Sequence, residues 1–216
     1  MTYVMLCQRS PGWETAVVSA VGLRERKKEK TRDALVRSAL RQCAKRGFEH
    51  VTIEEIVAAC DVSPRTFFRY FGSKEDVLFA EGDVRRAELL AALAVQPPEA
   101  SPLQALQAAV QTVAGHYEDN RETVLLRHRI VHSTPALRTR VAERHLGWEA
   151  DVLEHLRASG RAEGMSELDL RLVVAAATTA LRVALDVWIA AAAEPALGAL
   201  LDEAIERLRT GLERSG

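Results

Sequence analysis

Residues 51–79 read VTIEEIVAACDVSPRTFFRYFGSKEDVLF, and their pattern decides the fold class. Thr52 and Glu55 have the spacing of a capping box, in which a hydroxyl and a carboxylate satisfy each other's exposed amides at a helix start. Ile53, Ile56 and Val57 follow as the buried face of a short helix ending near Cys60. Asp61-Val62 predicts a tight turn. Ser63 then caps a second helix, and Pro64 suits its first position. That helix is expected to run to about Tyr70, where Gly72 breaks it and Ser73 starts another. Two short helices joined by a four-residue turn fit a helix-turn-helix unit. Spacing alone fits an ordinary helical hairpin equally well.

In a helix-turn-helix the second helix is anchored inside and polar outside, because it enters the major groove of DNA. Val62, Phe67 and Phe71 form roughly one inward stripe. Ser63, Pro64, Arg65, Thr66, Phe68, Arg69 and Tyr70 are left for the groove and its walls. Arg65 and Arg69 are four apart, hence on one face. Arginine reads guanine bidentately or binds phosphate. Tyr70 and Lys74 suit phosphate contacts. Thr52 suits donation to a phosphate at a helix N-terminus, where the dipole also favours an anion.

Upstream, Leu35, Ala39, Leu40, Cys43 and Ala44 recur at helical spacing from Thr31 onward, and Gly47 ends that helix. Before it lies a basic run, Arg24, Arg26, Lys27, Lys28, Lys30 and Arg32. Lys28 is its candidate phosphate-binding residue. Residues 24–74 hold 13 Lys/Arg against 7 Asp/Glu, whereas residues 75–216 hold 15 Arg against 22 Asp/Glu. A net charge of −1 therefore hides a basic front and an acidic back, and only the front suits a polyanion. Residues 1–23 match no clear period and read as an N-terminal extension.

The string 51–79 resembles the DNA-binding domain of the TetR family of repressors. The marks are Thr52 with Glu55, Ile56 and Ala58, then Val62-Ser63, Thr66, Phe67-Phe68, Tyr70-Phe71 and Ser73-Lys74-Glu75. Gly47-Phe48 and the helix from Thr31 also match. Two positions depart. Gln42-Cys43 stands where the family usually has two apolar residues, which predicts a slightly underfilled core. Phe68 stands where the family often has Tyr, which removes one phosphate hydrogen bond. The resemblance implies a homodimer, a partly palindromic operator, and release from DNA when a small molecule binds the C-terminal domain.

Downstream the helical punctuation repeats: Pro97-Pro98, the capping box Ser101/Gln104, Asn120, Thr134-Pro135, Gly160 and Gly164, Ser166, and Pro195 before a last helix. No alternation of Val, Ile and Thr argues for strands. The expected fold is all-α, with about nine helices. Residues 24–74 form the helix-turn-helix domain and residues 75–216 a helical domain for effector binding and dimerisation. Hydrophobic residues make up 48%, enough for a substantial core.

In the second domain, Ala175–Ala177, Ala180, Ala184 and Ala190–Ala193 permit close helix approach, and Leu197, Leu200, Leu201, Ile205 and Leu208 form a stripe. These suit either a four-helix dimer seam, which the resemblance places on the last two helices, or an intramolecular pair. Candidate pocket residues are Tyr117, Leu125, Arg129, His132, Trp148, Thr178, Thr179, Arg182 and Trp188. Residues 125–157 and 181–190 are also similar to the mycofactocin-regulator branch of the family. That branch implies an acyl-CoA-like effector, with Arg129, Arg138 or Arg182 meeting its anionic group. No cofactor or metal is expected: His128 and His132 are four apart, but nothing nearby completes a ligand set.

Cys7, Cys43 and Cys60 form no CxxC pair, which favours a reducing, cytoplasmic setting without a disulfide framework. The most apolar stretch, Leu172–Leu181, is ten residues long before Arg182, short of a membrane span. Two other classes compete with a regulator. A small all-α enzyme needs catalytic motifs such as GxSxG, a Walker sequence or HExxH, and none occurs. An interaction protein would use the basic arm on anionic membranes.

Overall fold

Capping residues set where the helices of this chain begin. In the computed structural model, which describes the backbone from Trp13 to Gly211 and the side chains of Arg24 and residues 26–211, every described element is helical. The order is α1 (Trp13–Arg46), a 3-10 turn (Phe48–His50), α2 (Ile53–Ala58), α3 (Pro64–Phe68), α4 (Lys74–Ala94), α5 (Pro102–Asp119), α6 (Arg121–Ser133), α7 (Pro135–Ala158), α8 (Glu167–Ala190) and α9 (Leu197–Thr210). The capping box of α2 is closed from both sides: Glu55 N donates to Thr52 Oγ1 at 3.2 Å, and Thr52 N donates to Glu55 Oε2 at 2.9 Å. Ser101 and Gln104 do the same for α5. Ser63, Ser73 and Ser166 cap α3, α4 and α8 through single bonds. Pro195 precedes α9, which opens on Leu197.

The helices enclose two cores. The first joins Leu35, Leu40, Ile56, Phe67 and Phe71 with Val77–Ala80 of α4. It also takes in Ile130 and Val131 of α6 and Leu137 of α7. The second begins at Leu89 and Leu93 of α4 and runs through α5, α7, α8 and α9. The expected boundary after residue 74 therefore does not separate the cores. One continuous helix, α4, belongs to both.

Three sequence expectations change. The first helix already begins at Trp13, so residue 24 marks no break; residues 1–12 of the expected extension, Cys7 among them, lie outside the described residues. Ala44 is exposed rather than buried. Gln42 does not underfill the core. Its amide donates to Ser38 Oγ and to Glu55 O, both at 3.1 Å, and so pins α2 to α1. Ser38, buried itself, donates to Ile56 O at 3.1 Å.

The Ala-rich helix α8 is two-faced. Leu170, Val174, Ala177, Leu181, Ala184 and Trp188 are buried. Leu168, Leu172, Val183 and Val187 are 67, 57, 41 and 49% exposed. By length and composition α8 could cross a membrane, a longer apolar element than the ten residues read from the sequence. Its inner face packs in the second core.

Candidate DNA-reading surface and effector cavity

The turn between α2 and α3 closes because Asp61 takes a left-handed conformation, φ 52°, one that Asp tolerates better than most residues. Val62 N then donates to Val57 O at 3.2 Å. Ser63 Oγ accepts from Thr66 N at 3.2 Å and lies 3.1 Å from Thr66 Oγ1. The helical coil continues one residue group past α3, since Phe71 N donates to Phe67 O at 3.0 Å. Phe67 is fully buried and its ring lies 5.3 Å from that of Phe71. On the opposite side Ser63, Pro64, Arg65, Phe68 and Arg69 are exposed, with Thr66 and Tyr70 half-buried. Phe68, the adjacent aromatic, is 56% exposed. The side chain of Arg69 stacks over the Tyr70 ring at 5.0 Å and donates to its hydroxyl at 3.2 Å. Lys28 and Thr52 are also on the surface.

Lys74 also has a structural part. Its ammonium donates to Phe48 O and Val51 O, each at 2.9 Å, and sits 4.1 Å from the centre of the Phe48 ring. It ties the start of α4 to the loop before α2. Two of its three donors are thus committed inside the domain. Lys74→Met is expected to cost about 1–3 kcal/mol of stability by removing the Lys74 donor from Val51 O and leaving Phe48 O with the Val51 amide alone, read as a lower midpoint in urea. A pure phosphate contact would leave the midpoint alone and lower the salt dependence of DNA binding instead. Arg46 works similarly, bridging Glu55 at 2.6 Å and His50 O at 2.6 Å. The Thr52 amide first, and then Arg46, hold the Glu55 carboxyl below the usual carboxylate range.

In the second domain a cavity of about 170 Å³ lies among α4, α5, α6, α7 and α8. A side chamber of about 40 Å³ shares its Tyr117, Trp148 and Arg182 walls. His132 lines the main chamber; Thr178 and Thr179 line the side chamber. Three candidates do not reach it. Leu125 packs against the second core. Arg129, like Arg138, is exposed elsewhere. Trp188 is buried in the core, its indole N–H donating to Pro195 O at 2.8 Å.

Sequence reading missed Arg127, His128, Arg144 and His145, all cavity-lining. The error on α6 is one of register. Positions 124, 127, 128, 131 and 132 face the cavity, whereas Leu125 packs against the second core and Arg129 is exposed. The 3–4 spacing of Val124, His128 and Val131 was the available signal. Burial pushes Arg127 down to about 10 and Tyr117 up to about 12. Burial, helped by Arg182, also lowers His145; burial, helped by His132, lowers His128. The two imidazoles are thus biased to neutrality, and the guanidinium groups supply the positive charge. Among the described residues no group of three metal-type side chains converges; the rings of His128 and His132 stack 3.8 Å apart.

Comparison with known proteins covers both halves. Residues 35–80 match the model of bacterial regulatory proteins of the tetR family, and residues 100–213 match that of the MftR C-terminal domain. The HTH-type transcriptional regulator TcmR of Streptomyces glaucescens is 39% identical over 149 residues, 66% of this chain and 60% of TcmR. The chain thus aligns with rather less than two thirds of TcmR. The HTH-type transcriptional repressor NicS of Pseudomonas putida is 26% identical over 156 residues, 69% of this chain and 72% of NicS. Among solved structures, FadR of Thermus thermophilus in complex with lauroyl-CoA is similar with a TM-score of 0.55 at 22% identity, covering 86% of this chain and 96% of that one. FadR of Bacillus subtilis in complex with stearoyl-CoA gives 0.58 at 18% identity, covering 83% and 98%.

Proposed function

We propose that this chain, which belongs to the TetR family of bacterial transcriptional regulators, is a homodimeric repressor that leaves its operator when a small apolar or acyl-type effector fills the cavity beside α4. The family consists of regulators rather than enzymes. The observation that carries the DNA-reading half is the two-sided α3. Phe67 and Phe71 anchor it, and Ser63, Pro64, Arg65, Phe68 and Arg69 face outward. The dimer reading is supported by the apolar face of α8 that is left exposed among the described residues. The effector reading is supported by the cavity and by the acyl-CoA complexes of the two FadR proteins.

Two recognition helices related by a two-fold axis must enter successive major grooves, about 34–36 Å apart. A ligand releases the protein only if it binds better to the state that cannot meet that spacing. Selection of bound duplexes from random DNA should therefore return a palindrome. On that palindrome, Arg65→Ala should cost about 1–3 kcal/mol and relax preference at one base pair in each half-site. Uniform weakening across all sequences would make Arg65 a phosphate contact only. Recovery of unrelated, non-palindromic sequences would remove the operator-binding dimer.

A further inference from the structure

Helix α4 is held to the walls of the cavity by carboxylates. Glu81 of α4 pairs with Arg127 of α6, and Asp83 of α4 pairs with Arg144 of α7. Gly82, between them, lines the cavity, and a Cβ there would lie 4.0 Å from the Arg144 guanidinium. Arg127 and Arg144 line the cavity too. The same two guanidinium groups therefore face the effector space and fasten the helix that carries the DNA-reading unit.

Arg127 is only 13% exposed, and its buried Nε has no acceptor. An uncompensated N–H in such a place is costly, and a guanidinium edge matches a carboxylate or sulfonate as a two-pronged acceptor. The lining of the main chamber holds three arginines and three histidines against one carboxylate, Asp186, which Arg182 faces at 3.5 Å. The remainder of the wall is apolar or aromatic, including Phe79, Val131, Val141, Trp148 and Ile189. The chamber is suited to an anionic group on a compact apolar body.

We propose that the effector is such an anion, that Arg127 and Arg144 take its acid group, and that it loosens α4 by displacing Glu81 and Asp83 from those arginines. The inference rests on the regulator reading and adds the effector's charge and the contacts it breaks. Ion-pair exchange gives the ligand the differential affinity that a population shift requires. The bound anion favours the arrangement in which these two ties of α4 are open, with Arg86–Asp151 and Asp76–Arg140 still in place, and α4 carries Val77–Ala80 of the head core with it.

The test uses two dyes with one aromatic body: 8-anilino-1-naphthalenesulfonate and its neutral counterpart N-phenyl-1-naphthylamine. Affinities for the full chain are read by dye fluorescence, and operator release by anisotropy of a labelled duplex. The anionic dye should bind about tenfold tighter, as expected for a charge-assisted contact, and should release the operator. Glu81→Gln should raise affinity for the anionic dye severalfold and leave the neutral dye unchanged, since the competing carboxylate is gone. Arg127→Gln should abolish the preference. Arg144→Gln, at a more exposed position, should reduce it and serves where the Arg127 variant fails to fold. Equal affinity for the two dyes, or a preference untouched by Glu81→Gln and Arg144→Gln, overturns the proposal. Failure of the dye-free wild type to bind duplex sinks the regulator reading instead, and the dye comparison is read separately from it.

Discussion

A glutamate at position 183 on the outer face of α8, Val183→Glu, is expected to split the dimer and weaken operator binding by roughly a hundredfold or more, the usual scale of avidity lost with a second contact. Leu168, Leu172, Val183 and Val187 follow one another at helical spacing on a side of α8 that, among the described residues, nothing in the protomer covers. Beside them a groove of about 190 Å³ is lined by Leu103, Leu172, Val173, Ala176, Ile205 and Leu208, with Arg209 at its edge. Apolar surface of this extent marks an interaction face. In a two-fold interface each protomer supplies the same patch, so one substitution introduces two charges. Burying them unpaired costs far more than the lost methyl contacts. Sedimentation should show monomers at concentrations where the wild type is a dimer, with an unchanged helical spectrum. A variant that stays dimeric and keeps its operator affinity would place the seam elsewhere.

The second large effect separates two neighbouring aromatic residues. Phe67→Ala is expected to cost about 3–5 kcal/mol, a large share of a typical domain's stability. The ring is fully buried among α1, α2 and α4 and touches the rings of Phe71 and Phe68 at 5.3 and 5.6 Å. Because the second core begins only at Leu89, the loss should unravel the DNA-reading unit first. The urea transition should become biphasic, and operator binding should vanish. Phe68→Ala removes a ring of the same size from the surface. It should leave the midpoint almost unchanged and weaken operator binding, because an exposed Phe is positioned to meet a thymine methyl. Equal destabilisation by both changes would contradict the two-sided reading of α3.

The parts of the protein that were legible in the sequence are those governed by short-range chemistry. A capping box spans four residues, and the Thr52/Glu55 and Ser101/Gln104 pairs close as their spacing requires. The turn at Asp61, the proline at the start of α3 and the break before Ser73 are local for the same reason. What was not legible depends on partners distant in the chain. The tie that Lys74 makes to the carbonyls of Phe48 and Val51, 26 and 23 residues away, is of this kind. Arg127 and Arg129 are indistinguishable by type and differ only in the side of α6 they occupy. Choosing between them requires knowing where α4 and α7 pack. That α4 contributes to both cores is likewise invisible locally, because a helix shared by two cores carries no break in its sequence.

Whether the head reads DNA is decided by binding to the duplex flanking the chain's own gene. The measurement is anisotropy of that duplex at two salt concentrations, with an unrelated duplex as competitor. Binding should survive the competitor and weaken steeply with salt, by about 0.9 in logarithmic slope per phosphate contact. Failure to bind either duplex, even at the lower salt, would contradict a DNA-reading head.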